Sequence, residues 1–97
     1  MGKPEAKVEN YLRRRVKETG GQIRKARWIG RRDCPDDYAW WDGGVYAWVE
    51  CKAEGEYVVW DSNQGREIRR MHDAGLTVYV VNSHEAVDRM IEALVGG

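Results

Sequence analysis

The stretch that decides the fold is Asp36-Asp37-Tyr38-Ala39-Trp40-Trp41-Asp42-Gly43-Gly44-Val45-Tyr46-Ala47-Trp48-Val49-Glu50-Cys51-Lys52. Two blocks rich in aromatic and β-branched residues flank Asp42-Gly43-Gly44, a turn composition. The segment therefore predicts a β-hairpin with strands over 36–41 and 45–52. If the three turn residues form the loop, Trp41 pairs with Val45, and counting outward sets Asp36 opposite Glu50. Their Cβ atoms would then lie ~5 Å apart on one face of the sheet. Lys52 shares that face because side chains alternate along a strand. A one-residue slip would undo the arrangement, so the pairing depends on the loop.

Working outward, the spacing predicts a first helix over 4–19, with Pro4 tolerated in its first turn and Gly20-Gly21 ending it. The 22–29 segment reads as a strand with Ile23, Lys25, Arg27 and Ile29 on one face, followed by a polar loop over 30–35. Beyond the hairpin, a loop leads to a second helix over 62–74, capped by Asp61 or Ser62 and stopped by Gly75. The apolar run over 76–81 reads as a buried strand. Ser83 then caps a last helix whose Val87, Met90, Ile91 and Leu94 have helical spacing. The order αβββαβα in 97 residues gives one α/β domain, with a sheet flanked by helices.

Composition excludes several classes. No stretch approaches the ~18 apolar residues of a membrane span, and the charged N-terminal segment lacks a signal-peptide core, so a cytoplasmic protein is expected. Two cysteines, Cys34 and Cys51, are too few for a disulfide framework. The net charge is zero, but its distribution is uneven. Residues 1–32 hold eleven Lys/Arg against three Glu, and residues 33–65 hold one Lys against eight Asp/Glu. A basic third beside an acidic third suits a phosphate-binding surface next to a metal site, although a solvated basic helix with ordinary acidic loops gives the same counts.

The chemistry centres on the hairpin. Two carboxylates as close as Asp36 and Glu50 repel, and a divalent cation offsets that repulsion directly. The backbone carbonyl of Cys51 offers a further oxygen ligand. A metal held there would activate a water against a phosphodiester, and Lys52 would stabilise the developing charge or orient the water. Glu50 and Lys52 also end an otherwise apolar strand, where burial is costly without partners.

Both flanking helices add candidates. On the first, Glu5, Glu9, Leu12 and Val16 form one stripe facing the core. Glu5 suits the helix macrodipole, and Glu9 is preferred as a ligand, directly or through water, in the acidic site. Arg13, Arg14 and Lys17 lie off that stripe and either meet phosphates or are solvated. Gln64 begins the second helix in line with Ile68 and Met71, either finishing a cap or orienting a water. Arg66, Arg69 and Arg70 add a basic face that an ordinary solvated helix also explains.

With these residues in place, the sequence resembles the virus-type replication-repair nuclease family (VRR-NUC), a branch of the PD-(D/E)XK nucleases, along nearly its whole length. The family's PD matches Pro35-Asp36, its ExK matches Glu50-Cys51-Lys52, and its helical Gln and Glu match Gln64 and Glu9, with Glu5 a competitor. The Gly-Gly before a strand lysine resembles Gly20, Gly21 and Lys25. The resemblance implies a restriction-endonuclease-like αβββαβ core with an additional C-terminal helix and a mixed sheet. It also implies Mg²⁺- or Mn²⁺-dependent hydrolysis of DNA. Small stand-alone members of phages and bacteria resemble homodimeric nucleases selective for branched DNA, including four-way junctions.

On this reading Lys25, Arg13, Arg14, Lys17, Arg31 and Arg32 meet DNA, no organic cofactor is needed, and the protein works in a bacterial cytoplasm, as a host or a phage protein. Two departures stand out: Asp33 where many members have Gly, and Asp37 where many have a basic residue. Five Trp and five Tyr exceed what one small core needs, and adjacent Trp40 and Trp41 face opposite sides, which favours a dimer covering one of them. Base stacking by Trp28 or Trp60 is the competing use. Two other readings are a non-catalytic DNA-binding module on the same fold and a zinc site from Cys34, Cys51, His72 and His84. No two of those four have finger-like spacing.

Overall fold

The computed structural model describes residues 3–96. Helix α1 (Ala6–Glu18) buries Val8, Leu12 and Val16 completely, three residues at four-residue spacing on one face. It ends where Gly20, at a φ of 86°, turns the chain and the Gly21 amide donates back to the Val16 carbonyl. Strand β1 (Gln22–Lys25) follows, then β2 (Asp37–Trp41), a 3₁₀ turn over Asp42–Gly44, and β3 (Val45–Cys51). Helix α2 (Asn63–Asp73), strand β4 (Val78–Val81) and helix α3 (His84–Val95) complete the chain. Ser62 and Ser83 cap α2 and α3 by accepting from the amides of Gly65 and Ala86.

The sheet has the order β1-β2-β3-β4, antiparallel except for the parallel β3–β4 pair. In the hairpin Trp41 pairs with Val45 and Asp37 with Val49, the register a three-residue loop sets. Gly43 and Gly44 both take positive φ there, which is why the turn needs glycine. The sheet is mixed and flanked by three helices, as expected, with α3 the addition at the end of the chain.

One sheet face carries Ala39, Trp41, Ala47, Val49 and Val81 against Leu12 and Val16 of α1 and Val87, Met90 and Ile91 of α3. Trp41 is pinned by donating to the Thr19 hydroxyl at 3.0 Å. A Cβ at Gly21 would sit 2.6 Å from that indole nitrogen, so the second glycine is a matter of space. The opposite face presents Tyr38, Trp40, Tyr46 and Trp48, all half-buried and in ring contact around Tyr38. Among the described residues, no helix is long and apolar enough to cross a membrane.

The 22–29 strand is shorter than expected. The chain leaves the regular ladder after Lys25, the Ala26 amide making a last bond to the Asp36 carbonyl. Trp28 folds back to donate to the Pro35 carbonyl at 2.8 Å and packs on Trp48. Ile29, placed on the same face as Ile23 by alternation, is 94% exposed. The backbone turn at Gly30, with a φ of 81°, replaces the strand's continuation.

Candidate active site

Four neighbouring segments, α1, β1, β2 with the residue before it, and β3, converge at the open end of the hairpin. Strand alternation points Asp37 and Cys51 toward α1, and Glu50 the other way, toward the start of α2. Asp36 precedes β2 by one residue, next in number beyond the Asp37–Val49 pair. Lys25 reaches the same place because β1 pairs it with Asp37. Glu9 arrives from α1, one residue past buried Val8, which leaves its side chain 16% exposed. A cleft of about 220 Å³ results, with Glu5, Glu9, Lys25, Asp36, Glu50 and Cys51 in its walls.

The charges inside it are interlocked. The Lys25 ammonium donates to Glu9 Oε2 at 2.6 Å and lies 3.2 Å from Asp36 Oδ2. Arg13 Nη2 lies 3.8 Å from Glu9 and 3.6 Å from Asp37. Asp37 is fully buried, and its Oδ1 makes no hydrogen bond among the described residues. Its other oxygen lies 3.8 Å from the Cys51 thiol. An incompletely satisfied carboxyl in the interior is costly, and the cost falls mainly on its charged form.

Titration follows from this geometry. Burial and the neighbouring Glu9 carboxylate push Asp37 up to about 8. The Asp37 carboxyl in turn holds Glu9 below its usual range, with Lys25 and Arg13 adding to the effect against the cost of burial. Burial, then repulsion from Asp36, lifts Glu50 to about 7, while Lys52 and the Gln64 side chain pull it back. Burial alone would lower Lys25, but Glu9 and Asp36 outweigh it and raise it. Burial, reinforced by Asp37, keeps Cys51 a thiol.

The donor set suits a hard divalent cation. Glu9, Asp36 and Asp37 offer carboxylate oxygens all within 4.8 Å of one another. Oxygen ligands of this kind fit Mg²⁺ or Mn²⁺. Of these oxygens, Asp37 Oδ1 accepts no hydrogen bond among the described residues and has only the Arg13 guanidinium near it. A zinc set is not assembled. Cys34 lies against Glu67, Cys51 against Asp37, His84 stacks on Tyr11, and His72 is exposed on α2.

Not every residue singled out in the sequence arrives here. Glu9, Asp36, Glu50, Lys25 and Cys51 line one cleft, and Gln64 and Lys52 act on Glu50 from beside it. Lys25 and Arg13, read as DNA contacts, are engaged with the site's carboxylates. Arg14 pairs with Glu18 and covers the Tyr11 ring, and Lys17 is exposed in the last turn of α1. Arg31 and Arg32 lie in a second cleft against α2. The residue the sequence reading missed is Asp37. Hairpin spacing carries no signal for it; the β1–β2 register that sets Lys25 opposite Asp37 is visible only in the structure.

No protein-family model and no curated protein matches the chain. Among solved structures, a chain described as "VRR_NUC domain" is 34% identical and superposes with a TM-score of 0.85. The match covers 94% of this chain and 97% of that one. The fold and its acid-lined sheet end thus define a nuclease-type domain. The chain belongs to the VRR_NUC family.

Proposed function

We propose that this protein is a metal-dependent DNA endonuclease that hydrolyses phosphodiester bonds in branched or nicked DNA. The observation that supports it is the cleft at the end of β2 and β3, where carboxylates from α1 and β3 and the residue leading into β2 meet a lysine from β1. A non-catalytic binding module has no use for such an acidic pocket, which repels phosphate.

In this reading Asp36, Glu50 and the Cys51 carbonyl would hold the cation, with Glu9 contributing directly or through water. When bound, Mg²⁺ or Mn²⁺ supplies Lewis-acid stabilisation of charge at the phosphodiester. Lys52 places a positive charge where negative charge develops on the phosphate oxygens. Gln64, at the start of α2 beside Glu50, orients the attacking water. Lys25 and Arg13 balance the carboxylates, and Arg14, Lys17, Arg31 and Arg32 meet phosphates along the duplex.

The homodimer belongs to the same proposal. Tyr38, Trp40, Tyr46 and Trp48 tile one sheet face with half-buried rings, a composition that suits an interface. Two copies would present two cleavage sites to a branched substrate. The working compartment is a bacterial cytoplasm, whether the protein is the cell's own or a phage's.

The test is incubation with supercoiled plasmid, linear duplex and a synthetic four-way junction in Mg²⁺, Mn²⁺ or EDTA. The junction is expected to be cut in preference to linear duplex, and EDTA to stop cleavage. Equal cleavage by the parent, Asp36→Ala and Lys52→Ala would sink the assignment.

A further inference from the structure

A second charged cleft, of about 250 Å³, lies between the loop before Pro35 and the first turns of α2. Its walls carry four guanidinium groups, Arg31, Arg32, Arg66 and Arg70, against two carboxylates, Asp33 and Glu67. The loop is shaped for this by two left-handed residues, Gly30 and Asp33, the latter at a φ of 63°. Aspartate is among the few non-glycine residues that tolerate that conformation.

Glu67 organises the cleft. One of its oxygens accepts from Arg31 at 2.6 Å and from Arg70 at 2.7 Å, fixing two guanidiniums from separate elements. Its other oxygen faces the buried Cys34 thiol at 3.6 Å. Its negative charge is therefore engaged, and among the described residues Arg32 and Arg66 have no carboxylate ion-pair partner. The cleft keeps two positive charges in excess, which focuses the field on an anion.

We infer that this cleft binds a backbone phosphate of the DNA strand, flanking the phosphodiester that lies at the acidic site. The inference rests on the nuclease reading and adds a specific anchor to it. Both walls run directly into that site: Cys34 is followed by Pro35-Asp36, and Asn63 by Gln64. The lining is wholly charged or amide, with no aromatic or aliphatic wall against which a base would stack. Recognition is thus of phosphate, without a nucleobase. Guanidiniums in fixed forks suit that ligand, and such bonds set the register of the protein on the strand.

The test uses Arg32→Ala and Arg66→Ala, both exposed side chains whose removal leaves Glu67 paired. Arg69→Ala is the control, since it removes the same charge from the same helix outside the cleft. Binding of a labelled duplex is followed by anisotropy in Ca²⁺ across a salt series, with thermal unfolding of each variant and plasmid cleavage in Mg²⁺ alongside. Arg32→Ala and Arg66→Ala are each expected to weaken binding about threefold to tenfold. Each should also reduce the salt slope by about 0.9 for every phosphate no longer neutralised. Arg69→Ala should bind like the parent.

Parent-like binding by both cleft variants, or equal weakening by all three, overturns the inference. So does an affinity that depends on a terminal phosphate of the duplex. If the parent still cleaves plasmid in those cases, the nuclease reading survives; if the parent neither binds nor cleaves DNA, that reading fails first.

Discussion

Lys25 and Asp37 show how much of the site depends on single side chains. The Lys25 ammonium bridges Glu9 and Asp36, holding a positive charge among carboxylates that would otherwise repel. Replacing it with methionine keeps the chain's length and removes the charge. Lys25→Met is therefore expected to lower the unfolding temperature in EDTA, with Mg²⁺ or Mn²⁺ restoring part of the difference. Unchanged unfolding in EDTA would show that the bridge carries no weight.

The raised carboxyls give a pH dependence with a definite sign. Asp37 is lifted from 3.8 to about 8 and Glu50 from 4.5 to about 7. Across that window the native state holds protons that the unfolded chain releases, so stability falls as pH rises. Glu9, held below 4.5, is ionised in both states over most of it. The metal-free protein should melt at a lower temperature at pH 8 than at pH 5, and Glu50→Gln should flatten the trend. Divalent ions, which need these groups deprotonated, should bind more tightly over the same rise. A melting temperature that climbs from pH 5 to 8 in EDTA would contradict this account.

At the scale of elements, α2 is positioned by close backbone approach. A Cβ on Gly65 would lie 2.5 Å from the Val59 carbonyl oxygen and 2.6 Å from Trp60 Cα. These are main-chain atoms that cannot rotate away. Gly65→Ala should therefore cost about 1–3 kcal/mol, the usual penalty for overpacking. A shift of about 4–8 °C per kcal/mol in thermal unfolding would register it. Because Gln64 precedes Gly65, cleavage should also fall in molecules that remain folded. An alanine variant with parental stability would show that the first turn is free to move.

The hairpin was legible because Gly43-Gly44 leaves few turn geometries, and the turn then fixes register outward to Asp36. The end of β1 was not legible. Arg27-Trp28-Ile29 alternates like a strand, but Trp28 gains more by packing on Trp48 and donating to Pro35 than by staying in the ladder. Asp37 was hidden for a related reason. Adjacent aspartates face opposite sides of a sheet, and hairpin spacing cannot say that the site draws on both. Only the arrival of α1, with Glu9 and Arg13 above the Asp37 side, decides it.

For the whole molecule, zero net charge conceals a division of labour. Acidic residues gather at the end of the hairpin, and arginines flank them from α1, the loop before Pro35 and α2. DNA binding should therefore weaken steeply with salt despite a sequence pI near 6.7. The aromatic face of β2 and β3 carries the dimer proposal. Light scattering is expected to give twice the chain mass at micromolar concentration, and Trp40→Glu to give monomers. A parent that runs as a monomer would remove that proposal and leave the cleavage site standing.

The proposed function turns on whether the acidic cleft hydrolyses DNA with a divalent ion. Single-turnover cleavage of supercoiled plasmid in Mn²⁺, by the parent and by folded Glu50→Gln at matched concentration, decides it. Nicked and linear products are expected from the parent, and a rate lower by about 100-fold or more from the variant. Equal rates, or parental cleavage that persists in EDTA, would contradict it.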